Sequence, residues 1–411
     1  MSDPGAGMLD GIRVLELARE PGALAGKILA ELGADVVKVE PPGGDLEARR
    51  GPYLHGEPGP ERSLPWLAHN TSKRGITLAL GGGRGRELFG ELVRRADVVL
   101  ETEAPGALEA LGIGWEQLGP TSPRLVWCSL TPFGRTGPRA RWRAHDLVIV
   151  ALGGNAKLTG DPDRPPVRCT LPTAYFHGSA EAAAGIAMAL YARQRSGRGQ
   201  LVDVSLHEAQ LSTLVTGAAQ WWISRRSPSR SGPRMGRTRE IWRAQDGDVS
   251  FGLRGGPARI PNLIATVEYM AESGMAPEWL RKYDWSTYNH NEVADAEIER
   301  LEAAFAAFFA SRTRRELYAE ALQRRILLAP CNDAAEILEQ PQLRSRGFFT
   351  TLEYPELGAA IEHPAFFAKS SACRIGVRGR APRVGEHNAA IYGEIGLGAA
   401  ELEALDREGV V

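Results

Sequence analysis

The chain has 411 residues and a mass of 44.5 kDa, with 43% apolar and 24% charged residues. That is ordinary globular composition, enough for two or three domains, and it excludes a disordered chain, a collagen and a coiled coil. Its 49 basic and 50 acidic residues leave a formal charge of -1, without the cationic excess of a dedicated nucleic-acid binder.

The first forty residues carry the clearest pattern. Residues 12–17 (IRVLEL) read as a buried strand, Pro21 and Gly22 break the chain, and 24–32 has apolar residues at helical spacing, stopped by Gly33. Residues 35–40 (DVVKVE) are the next strand, so the unit is strand–helix–strand with short connections, as in a parallel sheet. The alternation continues with a strand at 76–80, a helix at 86–96, a strand at 97–100, a short helix at 107–111 and a strand at 124–130 (RLVWCSL). Helices at 145–152 and 180–196 and a strand at 200–205 complete a doubly wound α/β half. Residues 224–239 (SRRSPSRSGPRMGRTR) read as a linker or exposed loop. Beyond it, 241–253 looks like a strand pair turning at Asp246-Gly247, and 294–312 and 315–324 are amphipathic helices. The predicted organisation is a large domain over 1–223, a linker and small α+β domain over 224–340, and a C-terminal part over 341–411.

Four cysteines (Cys128, Cys169, Cys331, Cys373) are too scattered for a disulfide framework or a zinc site, and no metal is expected. The N-terminus lacks the basic-then-apolar order of a signal peptide. No apolar run approaches the roughly 20 residues of a membrane span. The expectation is a soluble, cytoplasmic protein with neither nucleic acid nor membrane as a partner.

Phosphate-binding and nucleophile-elbow motifs are absent. Gly22 to Lys27 falls short of P-loop spacing, and the glycines at 81–85 do not meet the dinucleotide spacing, which leaves a tight turn or a set of N–H groups at a helix start. There is no GxSxG. His145-Asp146, at the start of an apolar helix, can be read as an imidazole–carboxylate pair for proton transfer, or as a helix cap beside an exposed histidine. His177 likewise lines a loop or serves catalysis. Trp221-Trp222 reads as core or interface before a stacking platform.

Several segments together closely resemble the class III (CaiB/BaiF-type) CoA-transferases. They are 9–17 (LDGIRVLEL), 32–45 (LGADVVKVEPPGGD), 70–78 (NTSKRGITL), 97–101 (DVVLE), 128–138 (CSLTPFGRTGP), 196–204 (SGRGQLVDV), 341–348 (PQLRSRGF) and Gly385-Glu386-His387. The resemblance implies a Rossmann-like large domain built from both chain ends, a smaller domain between, and two protomers threaded as interlocked rings. It also implies transfer of CoA from an acyl-CoA to a carboxylic acid, with a carboxylate nucleophile that forms a mixed anhydride and then an enzyme-bound thioester. Coenzyme A is then the substrate carrier, with Lys38, Asn70, Lys73 and Arg74 falling in the family's CoA-proximal segments.

Two departures stand out against that family pattern. The nucleophile segment reads Pro166-Val167-Arg168-Cys169-Thr170-Leu171-Pro172-Thr173-Ala174-Tyr175, with Tyr175 where the family has Asp. Between Asp163 and Asp203 the sole acid is Glu181, so a one-residue shift in register does not restore it. A phenol, with a reference pKa near 10 against about 4 for Asp, does not supply anhydride chemistry. Where many members continue Asn-Phe-Arg-Pro-Gly, this chain has Thr102-Glu103-Ala104-Pro105-Gly106, losing an Arg and adding a negative charge that opposes a polyanion. The resemblance thus implies a nucleophile-lacking subunit of a heteromer, paired with a homologous subunit that carries the Asp. The segment 274–285 is similar to heteromeric members such as succinyl-CoA:benzylsuccinate CoA-transferase. Within such a pair Tyr175 and His177 would face the degenerate site. A stand-alone CoA-ester racemase or lyase using His145 and Asp146, and a non-catalytic scaffold, remain the alternatives.

Overall fold

A computed structural model describes residues 5–46 and 49–411. Six strands, β1 (Arg13–Glu16), β2 (Asp35–Glu40), β3 (Arg74–Thr77), β4 (Val98–Glu101), β5 (Val126–Thr131) and β6 (Leu201–Ser205), form one sheet in the order β3-β2-β1-β4-β5-β6. Every neighbouring pair is parallel, so both faces must be covered, and the strands are correspondingly apolar. The first three α-helices are α1 (Glu20–Glu31), α2 (Leu64–His69) and α3 (Gly83–Val93). One face of the sheet buries Val14, Leu100 and Cys128 against Leu29 of α1 and Ile186 of the long helix Thr173–Ser196. The other buries Leu15, Val99 and Trp127 with Phe89 of α3 and Tyr392 of the helix Asn388–Glu394. The α/β reading of the sequence is found as this parallel sheet, and the short antiparallel sheets described below accompany it.

Boundaries differ from the sequence reading where a distant residue sets them. α1 begins at Glu20, not 24, because Pro21 falls in its first turn, where a missing N–H costs no intrahelical bond. The long helix begins at Thr173, seven residues before the expected start, because Asp146 caps it from another segment. Tyr175 and His177 are therefore within the helix and not on a loop ahead of it.

The larger compact unit comprises the chain to Ala156, Arg168–Arg226 and Pro341–Val411. β3 is an outer strand of the sheet, and such an edge offers unpaired backbone groups. The C-terminal segment takes them. His387 N–H donates to the Gly75 carbonyl (2.9 Å), Gly75 N–H donates to His387 Nδ1 (3.1 Å), and Thr77 N–H donates to Asn388 Oδ1 (2.9 Å). The hairpin Phe349–Tyr354 and Ala359–Pro364 is antiparallel.

The smaller unit comprises Lys157–Val167 and Ser227–Gln340. Ile241–Ala244 and Gly247–Phe251 pair antiparallel around the Asp246-Gly247 turn, and Leu328–Pro330 adds a third strand. Its core is aromatic, with Phe251 stacked on Phe305 at 5.6 Å and Trp242 edge-on to Phe309 at 5.5 Å. Trp242 Nε1 donates to the Phe251 carbonyl (2.6 Å), which satisfies its buried N–H.

Glu16, at the end of β1, is fully buried under α1. Lys73 Nζ donates to its Oε1 (2.9 Å) and Lys38 Nζ donates to the same oxygen (3.1 Å). Lys73 also donates to Asn70 Oδ1 and the Ala23 carbonyl, each at 2.8 Å. α1 passes so close that a Cβ on Gly26 would lie 1.7 Å from Glu16 Oε2. Gly26→Ala must therefore displace either the helix or the carboxylate. We expect it to cost more than about 2 kcal/mol, read as a lowered denaturation midpoint, whereas Gly217→Ala on an open helix surface should not lower it.

Candidate functional site

In an open parallel sheet, ligands bind outside the carboxyl ends of the strands where the order reverses, here between β1 and β4. Three strands end in glutamate at this side: Glu16 on β1, Glu40 on β2 and Glu101 on β4, each no more than 2% exposed. Glu40 is held by a bidentate pair with Arg49, Nε to Oε1 at 2.9 Å and Nη2 to Oε2 at 2.8 Å, and Arg49 stacks 3.7 Å over Trp66. These residues were not singled out in the sequence. Their signal was available as an acid closing an apolar strand three times over, in VLE, VKVE and VVLE.

A crevice of about 300 Å³ lies at the switch point, with Leu17, Val39 and Leu78 on its apolar side and Arg19, Asp45 and Glu103 on its polar side. The Arg19 guanidinium sits between Asp45 (3.7 Å) and Glu103 (3.6 Å). One engaged cation among carboxylates does not suit the phosphates of a coenzyme A, which would meet like charge there. Lys38, Asn70 and Lys73 are brought together, but around Glu16, with their polar ends turned inward. Burial lowers the Lys73 ammonium to about 8, an effect that Glu16 opposes. Arg74 turns the other way, pairing with Asp35 at the start of β2 (Nε to Oδ1, 2.8 Å) and with Glu394 (3.1 Å).

The start of the long helix is locked to the helix Asp146–Leu152. Asp146 Oδ1 accepts from Ala174 N–H (2.9 Å), while Asp146 N–H donates to the Tyr175 hydroxyl oxygen (3.0 Å). Each helix thus satisfies an orphan N–H of the other's first turn. Both side chains are buried, and burial raises the Tyr175 phenol above its ordinary value, so it stays protonated. Beside it, Phe176 meets His69 edge-on at 5.7 Å. Burial, with Lys73 and Lys27, lowers that imidazole to about 4. His145 and His177 are both exposed. His177 is two residues from Tyr175, a spacing that puts them on different faces of the helix, and neither histidine ring makes a hydrogen bond or ring contact among the described residues.

Glu101 is the other titratable group the sequence reading passed over. Burial raises its carboxyl to about 7, against the opposing hydrogen bond from Glu103 N–H (2.7 Å) and the Arg135 guanidinium at 3.9 Å. Arg135 itself is committed to Glu109 (2.7 Å). Among the described residues no group of His, Cys, Asp and Glu is placed to hold a metal, and no helix is long and apolar enough to cross a membrane.

The chain matches CoA-transferase family III over residues 9–388. It is 34% identical over 406 residues to subunit BbsE of the succinyl-CoA:(R)-benzylsuccinate CoA-transferase of Thauera aromatica, with 97% of each chain covered. It is 31% identical over 415 residues to the formyl-CoA:oxalate CoA-transferase of Streptomyces avermitilis, covering 98% of this chain and 99% of that one. The crystal structure of a CaiB/BaiF family protein from Brucella suis superposes with a TM-score of 0.81 at 30% identity, covering 95% of this chain and 100% of that one.

Two outcomes follow from these contacts. Tyr175→Phe leaves the buried Asp146 N–H without its acceptor and should cost about 1 kcal/mol in denaturant unfolding. Glu101 gives a pH signature. In the unfolded chain such a carboxyl titrates near 4.5, so between that value and about 7 the folded protein holds a proton the unfolded chain has released. Its contribution to stability therefore falls as pH rises through that window. Glu101→Gln keeps the acceptor for Glu103 N–H and removes the fall. The gap in melting temperature between variant and wild type should widen in the variant's favour from about pH 5 to about pH 8, and a constant gap would show the assignment to be wrong.

Proposed function

The chain belongs to CoA-transferase family III, and from that premise we propose that it is the nucleophile-lacking subunit of a heteromeric CoA-transferase, completing a homologous subunit that carries the Asp. The single observation behind this reading is Tyr175. At the position of the attacking carboxylate stands a buried, protonated phenol whose oxygen already accepts a backbone N–H. Neither neighbouring carboxylate replaces it, since Asp146 is spent on Ala174 N–H and Glu20 is paired with Arg50. The carboxyl-rich crevice beside Arg19 further disfavours acyl-CoA in this protomer.

An apolar surface left for a partner supports the same reading. The helix Val215–Ser224 exposes Trp222 by 72% and Ile223 by 87%, and the long helix exposes Met188 by 67% and Tyr191 by 66%. Large apolar side chains left in water become favourable contacts when a partner covers them. In this proposal the two protomers interlock as rings, the reaction moves CoA between an acyl-CoA and a small carboxylic acid in the partner's site, and this chain shapes that site. The relative from Thauera aromatica, itself a subunit of a CoA-transferase, agrees with such an arrangement. Use of His145 and Asp146 as an acid–base pair is disfavoured because the Asp146 carboxylate is already engaged and faces inward.

Native mass spectrometry of the tagged chain from its own organism should show a stoichiometric second chain of similar mass whose sequence has Asp at this place. The isolated chain should give no CoA transfer, and the reconstituted pair should give transfer that is lost when the partner's Asp is changed to Asn. A homodimer that turns over acyl-CoA unaided overturns the proposal.

A further inference from the structure

The smaller unit holds a cavity of its own, about 390 Å³ in volume, between the helix Ile260–Glu272 and the segment 281–286. Local chemistry shapes it. Gly274, with a φ of 71°, turns the chain at the end of that helix, and Met275 N–H returns to the Met270 carbonyl (2.8 Å). A short helix, Glu278–Arg281, follows. Asp284 Oδ1 then caps the next turn, accepting from Ser286 N–H (3.0 Å) and from the Ser286 hydroxyl (2.6 Å). Ile260, Ile264 and Val267, spaced to share one face of the helix, form the aliphatic wall. Tyr283 and Trp285, with ring centroids 4.6 Å apart, form the aromatic one.

Most polar groups at this cavity are unspent. Glu268 lines it from the helix and Arg281 from the facing segment, both exposed. Neither side chain makes a hydrogen bond or ion pair among the described residues, with the other or with any third group. On the same helix Glu272 is gripped by Arg324, Nη1 to Oε1 at 3.0 Å and Nη2 to Oε2 at 2.6 Å. Elsewhere in the unit Arg234 holds Glu302 and Arg254 holds Glu240, each at 2.8 Å. The Tyr283 hydroxyl and the Trp285 indole N–H also lack hydrogen-bond partners among the described residues. Burial, with Glu297 and Asp284, raises the Tyr283 phenol above its ordinary value, which keeps the hydroxyl a donor. A cavity of this size, with apolar walls and a few uncommitted polar groups, has the make-up of a small-molecule site. Its two unpaired charges specify the ligand's own: a carboxylate for the Arg281 guanidinium and an ammonium for Glu268.

We propose that this cavity binds a free α-amino acid with an apolar side chain, its carboxylate on Arg281, its ammonium on Glu268 and its side chain between the aliphatic and aromatic walls. A ligand with a single charge leaves one protein charge unmatched, and a dicarboxylate or an acyl-CoA brings like charge to Glu268 and Asp284. Every residue invoked belongs to the smaller unit, so the proposal does not depend on the reading of Tyr175.

The test is titration calorimetry of the full chain with L-leucine and L-phenylalanine, each beside the analogues that lack its ammonium (isocaproate, hydrocinnamate) or its carboxylate (isoamylamine, phenethylamine). At least one of the amino acids should bind saturably, and both of its analogues should bind about tenfold more weakly or worse, each having lost a charge-assisted contact. Arg281→Gln and Glu268→Gln alter exposed side chains without partners, so the melting temperature of the ligand-free protein should stay close to that of wild type. Each should weaken the amino acid by about tenfold or more. Arg315→Gln, at an exposed arginine outside the cavity, should bind within about twofold of wild type. Absence of saturable binding by either amino acid up to about 10 mM, an analogue that binds as tightly as its parent, or unchanged affinity in Arg281→Gln or Glu268→Gln overturns the proposal.

Discussion

A carboxylate in the middle of the larger unit dictates how its first elements meet. Glu16 is removed from water, and a buried charge of this kind is tolerable only with close, well-directed partners. Lys38 comes from β2, Lys73 and Asn70 from the segment after α2, and the Ala23 carbonyl from α1, so one ionic cluster fixes four pieces of chain. α1 can lie over it only because Gly26 has no side chain. From α1 the constraint passes outward, since Ser179 of the long helix donates its hydroxyl hydrogen to the Pro21 carbonyl at 2.8 Å. The start of that helix, and with it Tyr175, is thus positioned from beneath by Glu16 and from the side by Asp146.

Under the proposed reading, a reactive position is retired here without loss of the fold. A carboxylate at the head of the long helix would have to stay ionised and accessible. The phenol at the same place does neither. It fills an apolar gap, keeps its proton and caps the helix Asp146–Leu152 through its oxygen. Lys38, Lys73, Asn70 and Glu16 form an internal brace under α1. Charge that elsewhere could be turned to a substrate is used to hold α1, α2 and the sheet together.

Much of the sheet was legible because apolar runs of four to six residues bounded by glycine or charge leave little room for another assignment. The run 35–40 is β2 to the residue. The Asp246-Gly247 turn was legible for a similar reason, as the chemistry of a tight turn is local. The start of the long helix was not, since its cap is Asp146, twenty-eight residues upstream of the N–H it satisfies. The inward turn of Lys38 and Lys73 was equally hidden, because nothing in their neighbourhood says that Glu16 lies within reach. That a tyrosine stands at 175 was readable from the sequence, while the hydrogen bond its phenol accepts from Asp146 N–H required coordinates.

The pairing of β3 with the end of the chain bears on how the protein is made. Gly75 and Thr77 wait for His387 and Asn388, which lie 312 and 311 residues downstream. At a synthesis rate of roughly 5–20 residues per second, that interval is about 15–60 s. For this time the nascent sheet carries an open outer strand, the kind of edge that recruits other strands. The outer edge of the larger unit therefore cannot close before the segment around His387 has been made. Cellular factors that shield nascent strands, or a second nascent chain produced close by, act on the protein in that period.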